Sequence, residues 1–388
     1  MVIFIAVALA IYALFNFYVA RRGFQALAAV PTARTVFLVL YILFAASYPA
    51  GRILRGLAEN VSTVWPDNIG AIHMVVMLYG LMAVVFIDLV RLVNAVLPFL
   101  PKTVTAGPGR TGVVLFIAVA GAIAITIVGG AWNATRLRVV ELEVHMPRRA
   151  GSTDRLTAVL AADLHLGSII GSSRLARIVQ GINALEPDVV FFCGDIVDET
   201  IRPPQEVRLS AVMRTLRAPL GAFVVPGNHE TFAGLDRTLA CYRGCGLTVL
   251  QERAVRVAGA FVLMGRRDPS SLRRGEKRLP IREILAREGI DDSLPVILLD
   301  HQPAHLEEAE AAGVSLELSG HTHAGQIFPL DIVNRRVWEL NWGSLTKGQT
   351  QYYVTSGVGT WGPPVRVGSV PEIVRIRLLF DQAPRRDE

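Results

Sequence analysis

The stretch at residues 319–326, SGHTHAGQ, places His321 and His323 one residue apart, directly after the apolar run VSLELS. Alternate side chains of an extended chain point to the same face, so the two imidazoles could lie side by side. They could be polar residues satisfied by hydrogen bonds, or they could be ligands of metal ions. The choice depends on whether matching ligands occur elsewhere in the chain.

Charged residues are distributed unevenly along the chain. Of its 388 residues, 52% are hydrophobic and 19% are charged, which is more apolar than is usual for a soluble globular chain. Residues 1–131 contain only eleven Asp, Glu, Lys or Arg, whereas residues 132–388 have the charge density of a water-soluble domain. We therefore predict a membrane domain over 1–131 and a second domain over 132–388.

The first domain contains long apolar runs, each close to the ~20 residues that cross a bilayer as a helix. There are four of them, at residues 2–20, 35–51, 71–97 and 112–131. The first run has no basic residues before it and is followed by Arg21 and Arg22, so it is interpreted as a retained anchor and not as a cleaved signal. The sequence thus predicts a four-helix transmembrane region.

Two ionisable residues, Asp88 and Arg91, lie one helical turn apart within the third run. Ionisable groups at membrane depth are often functional. Here, however, the two can pair with each other near the helix end, and the arginine can extend to the interface. We therefore favour a structural role for this pair.

The second domain alternates short apolar runs with helical stretches. The runs LTAVLAA, PDVVFFC, GAFVVP, LPVILL and VSLELS are typical of buried strands, and helical sequence lies between them. This alternation predicts α/β layers in which functional residues occupy the loops beyond the strand ends.

Polar clusters follow each of these runs. They read DLH, GDIVD, GNHE, DHQ and GHTH in chain order, and together they hold five of the eight histidines. Carboxylate, amide and imidazole ligands without thiolates suit Mn, Fe or Zn, and two such ions can share a bridging carboxylate in phosphoester hydrolysis. The side chains of these types in the clusters include Asp163, His165, Asp195, Asp198, Asn228, His229, His301, His321 and His323.

The ordered set D-x-H, GDxxD, GNHE, H and GHxH resembles the calcineurin-like metallophosphoesterase superfamily over roughly residues 135–380. The stretches GHTHAGQ and GVGTWGPPVRVGSVPEIVRI are similar to its membrane-associated bacterial branch. The resemblance implies a four-layer α/β/β/α sandwich with the metal ions at the strand ends.

The resemblance also implies a role for each motif residue. The first divalent ion would be held by Asp163, His165 and His323, the second by Asn228, His301 and His321, and Asp195 would bridge them. Catalytic roles would fall to two further residues. His229 would protonate the leaving oxygen, with Asp198 orienting it, because an imidazole can deliver a proton near neutral pH.

Departures from the family pattern are informative. Glu199 occupies the position where phosphoprotein phosphatases of this superfamily carry a phosphate-binding arginine, which argues against a protein phosphatase. Ala324 replaces a glycine often found in the membrane branch and is expected to be harmless. Glu230, next to His229, is interpreted as structural.

Two other features leave alternatives open. Cys241 and Cys245 could form a disulfide in an oxidising compartment or remain free thiols. The basic stretch at residues 265–278, GRRDPSSLRRGEKR, could be a solvated loop, or it could favour anionic headgroups or phosphorylated substrates. Despite the pI of about 9.5, no nucleic-acid motif accompanies it, so no nucleic-acid binding is expected and no protein partner is inferred.

These observations predict a membrane-anchored, dinuclear-metal phosphoesterase that hydrolyses phosphomonoester or phosphodiester bonds of a lipid or cell-envelope molecule. The alternative is a membrane protein whose metallophosphoesterase-like domain is a non-catalytic binding or regulatory module. Retention of His229 beside seven candidate ligands favours the enzyme, because a module without activity has no need for an acid.

Loop charges predict a multi-pass protein of the bacterial cell membrane with its catalytic domain outside the cytoplasm. Basic residues tend to keep short loops cytoplasmic. The first loop carries Arg21, Arg22 and Arg34, and the third carries Arg91, Lys102 and Arg110. The second loop has only Arg52 and Arg55. Loops one and three are therefore expected inside, which places the domain after the fourth span outside, although Arg136 and Arg138 after that span favour the opposite orientation.

Overall fold

The computed structural model describes residues 2–57, 63–101, 109–147, 153–167, 169–291 and 293–380. The chain divides into two compact units. The first consists of Met1–Ala131 and Gly362–Pro364, and the second of Trp132–Trp361 and Val365–Glu388.

The described parts of the first unit are mainly helical. Its helices are α1 (Val2–Ala26), α2 (Pro31–Leu57), α3 (Val64–Val96) and α4 (Arg110–Thr135), the last of which continues into the second unit. Each contains one of the four apolar runs found in the sequence.

Among the described residues, three helices are long and apolar enough to cross a membrane. They are Pro31–Leu54, Val64–Val96 and Arg110–Thr135. The prediction of four spans is therefore wrong by one. The run at residues 2–20 forms a helix within α1, but α1 is not among these three, and the side chains of residues 2, 4 and 5 in this run lie outside the described part of the chain.

Polar side chains within the first unit pair with one another. Arg22 and Arg91 both form ion pairs with Asp88, which also accepts a hydrogen bond from Tyr18. His73 is buried with its Nε2 2.7 Å from Oδ1 of Asn16. The structural interpretation of Asp88 and Arg91 agrees with this packing, although α1 supplies a partner that the spacing alone did not indicate.

The second unit contains two mixed six-stranded sheets. The first has the strand order β1-β12-β2-β3-β4-β5, in which β2 to β5 run parallel and β12 runs antiparallel to β2. Its strands are β1 (Arg138–Met146), β2 (Arg155–Ala161), β3 (Val189–Cys193), β4 (Ala222–Val225), β5 (Thr248–Val249) and β12 (Glu372–Phe380).

The second sheet has the order β10-β11-β9-β8-β7-β6, with parallel pairing from β11 through β7 and an antiparallel strand at each edge. Its strands are β6 (Arg253–Val257), β7 (Phe261–Gly265), β8 (Val296–Leu299), β9 (Leu316–Ser319), β10 (Gly343–Lys347) and β11 (Thr350–Val354).

The two sheets pack face to face between layers of helices. Phe191 of β3 and Phe261 of β7 meet in the core between the sheets, with ring centroids 6.3 Å apart. The outer face of the first sheet packs against α5 (Ser172–Asn183), α6 (Pro203–Met213) and α7 (Asn228–Gly244), and that of the second against α8 (Ile281–Arg287) and α9 (Leu306–Ala312). This α/β arrangement is consistent with the predicted four-layer sandwich.

The residue patterns explain why these elements form. All five residues of β3, VVFFC, are buried, as expected for a parallel strand covered on both faces. In α5, the buried residues Leu175, Ile178, Val179 and Ile182 follow the i, i+3, i+4, i+7 spacing of one helix face. Since β2, β3 and β4 run parallel, as do β8 and β9, the polar clusters after them gather at the carboxyl ends of the sheets.

Candidate metal centre

The predicted ligands lie in five loops, each of which begins where a strand ends. Asp163 and His165 follow β2, Asp195 follows β3, and Asn228 follows β4 as the first residue of α7. In the second sheet, His301 follows β8, and His321 and His323 follow β9.

The first group of potential metal-binding residues is Asp163, His165 and His323. Their donor atoms all lie within 4.8 Å of one another, and Nε2 of His165 is 3.0 Å from Nε2 of His323. All three residues are buried. Two imidazole nitrogens this close need a shared proton or a shared cation, because their lone pairs would otherwise repel.

The second group is Asp195, His301 and His321, whose donor atoms also lie within 4.8 Å of one another. Nε2 of His301 is 3.1 Å from Oδ2 of Asp195 and 3.2 Å from Oδ1 of Asn228. Oδ2 of Asp195 is also 3.9 Å from Nε2 of His165 in the first group. Asp195 therefore lies between the two groups, where a bridging carboxylate would be needed.

Backbone contacts orient these ligands. Nδ1 of His301 lies 2.7 Å from the carbonyl oxygen of Cys193, which fits an Nδ1–H donor and directs Nε2 toward the site. The backbone N–H of His321 donates to both carboxylate oxygens of Asp163 at 3.0 Å. Buried oxygen and imidazole donors held in this way suit borderline or hard divalent cations.

The electrostatics of the site favour a bound cation. Burial lowers the pKa of His321 to about 3 and that of His323 well below its ordinary value, so both imidazoles are neutral and able to bind a metal. Burial also raises the pKa of Asp163 to about 6. Concentrated carboxylates and neutral imidazoles in a dry pocket are stabilised when a cation neutralises them.

Asp195 and His301 form a coupled pair. Burial acts to raise the pKa of Asp195, but the charge and hydrogen bond of His301 outweigh it and lower that pKa. The attraction to Asp195 likewise overcomes burial and raises the pKa of His301 well above its ordinary value. Binding of a metal at His301 must therefore release a proton, as for other imidazole ligands.

Several ligand residues have a backbone conformation that is uncommon for residues other than glycine. The φ angle is +57° at Asp163, +49° at His165, +51° at Asp195, +70° at His321 and +51° at His323. Left-handed φ values cost energy in such residues and concentrate at functional sites, where the surrounding structure imposes them. The loops thus turn sharply to direct these side chains into one space.

His229 and Asp198 form a pair at the edge of the metal groups. Nδ1 of His229 is 3.0 Å from Oδ1 of Asp198, which also lies 3.2 Å from Nδ1 of His165. Burial acts to lower the pKa of His229, but Asp198 and Asp195 outweigh it and raise the pKa to about 9. The imidazole is therefore charged at neutral pH, as a proton donor must be.

Glu230 connects the loops after β3 and β4. The sequence predicted a structural role for this residue but did not indicate its partners. Its Oε1 accepts hydrogen bonds from N–H of Ile196 and Val197 and from the Tyr242 hydroxyl, at 2.7 to 3.2 Å. Its Oε2 accepts from N–H of Asp195 and Gly227, at 2.9 and 2.7 Å. One buried carboxylate thus ties both loops together.

Replacing Glu230 with Gln is expected to destabilise the protein. Each carboxylate oxygen meets at least two donors, so the amide NH₂ faces donors whichever way it turns. We expect a loss of about 2 kcal/mol or more in the free energy of unfolding, measured by thermal unfolding of the full chain in detergent. The exposed Glu283→Gln is the control. Equal melting temperatures for the two variants would contradict this role.

Arg366 was also missed by sequence reasoning. It is buried, and its Nη2 donates to the carbonyl oxygens of Ser356, Gly357 and Gly359 at 2.7 to 3.1 Å. Nη2 also lies 3.4 Å from Nδ1 of His323. The guanidinium therefore fixes the loop before β12 against the metal loop. The available signal in the sequence was a single arginine within the otherwise apolar and glycine-rich stretch GVGTWGPPVRVGSV, which is typical of a buried arginine with backbone partners.

The basic stretch at residues 265–278 is only partly a solvated loop. Arg266 and Arg278 are buried and pair with Asp300, which directly precedes His301, while Arg267 pairs with Glu276. Arg266 and Arg278 therefore support the metal loop after β8, and their side chains are only 4% and 7% exposed. The sequence did not indicate this because the carboxylate partner of the buried arginines lies on another strand end.

Three further residues lie outside the metal groups. Cys241 and Cys245 are buried free thiols, so the unbridged alternative holds. His305 is exposed and pairs with Glu307, outside the metal groups.

Comparisons with known proteins agree on one family. A family model described as "Calcineurin-like phosphoesterase" matches residues 156–325. An "Uncharacterized metallophosphoesterase" of Helicobacter pylori strain J99 is 36% identical over 226 residues, which are 58% of this chain and 60% of that protein. The chain thus matches only about three fifths of the length of that relative.

Two further relatives extend this result. An "Uncharacterized metallophosphoesterase" of Aquifex aeolicus is 32% identical over 244 residues, which are 62% of this chain and 92% of that protein. A "Transmembrane protein with metallophosphoesterase domain" of Danio rerio is 33% identical over 269 residues, which are 66% of this chain and 60% of that protein.

Proposed function

The chain belongs to the calcineurin-like phosphoesterase family, and from this premise we propose that it is a membrane-anchored, two-metal hydrolase of phosphomonoesters or phosphodiesters. The observation that carries the proposal is the position of Asp195 between two groups of ligands, with the His229–Asp198 pair beside them. A single tetrahedral site would not need this arrangement. Two metals flanking one carboxylate are suited to in-line displacement at phosphorus.

The residues divide into two metal positions with a shared ligand. Asp163, His165 and His323 would hold one divalent ion, Asn228, His301 and His321 the other, and Asp195 both. When bound, two such ions supply the positive charge that polarises a phosphoryl group and makes a water molecule a stronger nucleophile. Mn, Fe and Zn all fit these donors, and Mn is our first choice for assay.

His229 would supply the proton for the leaving oxygen. Asp198 holds Nδ1 of the imidazole and stabilises its charged form, which leaves Nε2–H free to donate. Asp195 also holds His229, because its Oδ1 accepts a hydrogen bond from the backbone N–H of His229 at 2.9 Å. The acid is thus held by both its backbone and its side chain.

Aromatic side chains surround the site and favour a substrate with an apolar group. The rings of Phe232 and Trp361 each have centroids 6.2 Å from that of His229, and both residues are exposed. The Trp338 ring lies 5.4 Å from that of His321. With three candidate spans in the same chain, this rim supports a lipid or lipid-linked envelope phosphate as the substrate class.

Phosphatase assays distinguish an enzyme from a binding module. We expect the full chain, purified in detergent and loaded with Mn, to hydrolyse mono- or bis-p-nitrophenyl phosphate, and chelation to abolish the rate. The ratio of the two rates shows whether monoesters or diesters are preferred. Absence of turnover with Mn, Fe and Zn, while the protein retains bound metal, would favour a binding or regulatory module.

We further propose that the metal centre lies outside the cytoplasm. The three candidate spans α2, α3 and α4 suffice for this orientation. Arg34 lies in the first turn of α2, Lys102 lies between α3 and α4, and Arg110 is the first residue of α4. If both of these regions are cytoplasmic, the end of α4 is outside. Lys102 and the side chain of Arg55 fall outside the described residues, so their contribution rests on the sequence alone.

Reporter fusions test this sidedness. Alkaline phosphatase is expected to be active when fused after Ala131 and inactive when inserted at residues 98–111, while a fluorescent protein that folds only in the cytoplasm should show the opposite pattern. The reverse result would place the site in the cytoplasm and direct the substrate search to nucleotide-linked lipid precursors.

A further inference from the structure

The helix that follows the metal loop after β9 exposes an apolar row. This helix, α10 (Leu330–Val337), has no buried residues, unlike α5 to α9 of the same unit. Leu330, Val333 and Val337 are 44%, 56% and 65% exposed and have the i, i+3, i+7 spacing of one helix face. Phe328 and Ile332, both 44% exposed, extend the apolar surface.

This surface differs from ordinary exposed side chains. Single exposed apolar residues, such as Val207 on α6, are common on soluble proteins, but a contiguous apolar row indicates a binding surface. A hydrogen bond also fixes the helix that carries this row. Nδ2 of Asn334 donates to the carbonyl oxygen of Thr322 at 2.8 Å, which anchors the helix to the loop that carries His321 and His323.

The charges on α10 indicate what the row binds. Arg335 and Arg336 are exposed in its last turn, and the single acid of the helix, Asp331, contacts Arg335 at 3.8 Å. An apolar face flanked by arginines is typical of helices that lie in the interface of a bilayer. The arginines would favour anionic headgroups over neutral ones.

The chain tethers the second unit closely to a candidate membrane span. Only residues 136 and 137 separate α4, a candidate membrane span, from β1 of the second unit. Two residues extend over roughly 7 Å at most, so the second unit has no long tether. A membrane interface is thus an apolar surface to which the chain tethers the unit that contains α10.

We propose that α10 is a membrane-interface helix that binds anionic bilayers. The row of Leu330, Val333 and Val337 enters the boundary between headgroups and acyl chains, and Arg335 and Arg336 bind lipid phosphates. Its consequence for the substrate rests on the proposed function: because Asn334 ties α10 to the metal loop, a phosphate at the bilayer surface would be brought close to the metal centre.

A fluorescent probe tests the contact directly. The full chain with Val337→Cys is labelled at this cysteine with an environment-sensitive dye and placed in nanodiscs of phosphatidylglycerol. Background labelling is limited because the native thiols are buried. We expect a blue-shifted emission and quenching by headgroup-proximal nitroxide lipids at least about twice that at the matched control, Val207→Cys. Equal quenching at the two positions would overturn the proposal.

A second set of variants tests the lipid chemistry. Combining Arg335→Gln and Arg336→Gln should reduce quenching at position 337 in phosphatidylglycerol and leave it unchanged in neutral phosphatidylcholine. If the quenching is the same with and without the two arginines, and the same in both lipids, a role for lipid phosphates is refuted.

Activity separates this inference from the proposed function. Replacing Leu330, Val333 and Val337 with Ser should preserve hydrolysis of soluble nitrophenyl esters and reduce that of a long-chain ester embedded in the nanodisc. A protein without any activity whose probe is still quenched would refute the phosphoesterase and leave the helix proposal intact. An active enzyme whose probe is not quenched would refute the helix proposal and leave the phosphoesterase intact.

Discussion

Replacing Asp195 with Asn is expected to empty both metal positions. Asp195 lies within reach of His165 on one side and His301 on the other, so a neutral amide there weakens the charge that both cations share. Changes in residues that merely support a ligand lower metal affinity about 10- to 100-fold, and loss of a bridging ligand should exceed that range. We expect phosphatase activity to fall to the limit of detection.

Metal content and calorimetric titration of the full chain in detergent check this result. The exposed Asp236→Asn on α7 is the matched control, because it makes the same chemical change away from the site. An Asp195→Asn protein that still bound two ions with ordinary affinity would show that Asp195 is not the bridge.

Replacing His229 with Gln should leave metal content near that of the wild type and lower turnover by about two to four orders of magnitude, the usual effect of losing a general acid. The loss should be larger for alkyl phosphate esters than for nitrophenyl esters, because nitrophenolate needs little help from a proton. Rates on both ester types, measured beside metal content, test this prediction.

The exposed His305→Gln is the control for this substitution. Metal content is the decisive measurement, since the donor atoms of His229 also lie within 4.8 Å of those of His165 and Asp195. If His229→Gln lost metal in proportion to activity, His229 would be a ligand and the proton donor would have to be sought elsewhere.

The sequence predicted which residues gather because of one physical rule: strands that run parallel in a sheet end on the same side. This rule gathers the clusters after β2, β3 and β4 at one sheet and those after β8 and β9 at the other, and the face-to-face packing of the two sheets then brings both sets together. His165 and His323 are 158 residues apart, yet their Nε2 atoms lie 3.0 Å apart. The α/β fold of the second unit followed from the same alternation.

What the sequence could not provide are contacts that depend on tertiary packing. Arg278 pairs with Asp300, and Arg366 reaches His323, across gaps of 22 and 43 residues that no periodicity marks. Glu230 was expected to be structural, but its five donors belong to two loops and one helix. The sequence predicted four spans, whereas the described residues contain three helices that are long and apolar enough to cross a membrane.

The left-handed backbone at five of the seven predicted ligands has a consequence for how natural selection acts on this site. Asp, Asn and His are among the residues that tolerate positive φ best, whereas β-branched residues tolerate it poorly. Folding alone would thus retain ligand-type residues at these positions for some time after activity was lost. His229 lies in the first turn of α7 with no positive φ, so its backbone makes no such demand. Among descendants of an ancestral enzyme, that histidine is the position whose persistence reports selection for chemistry.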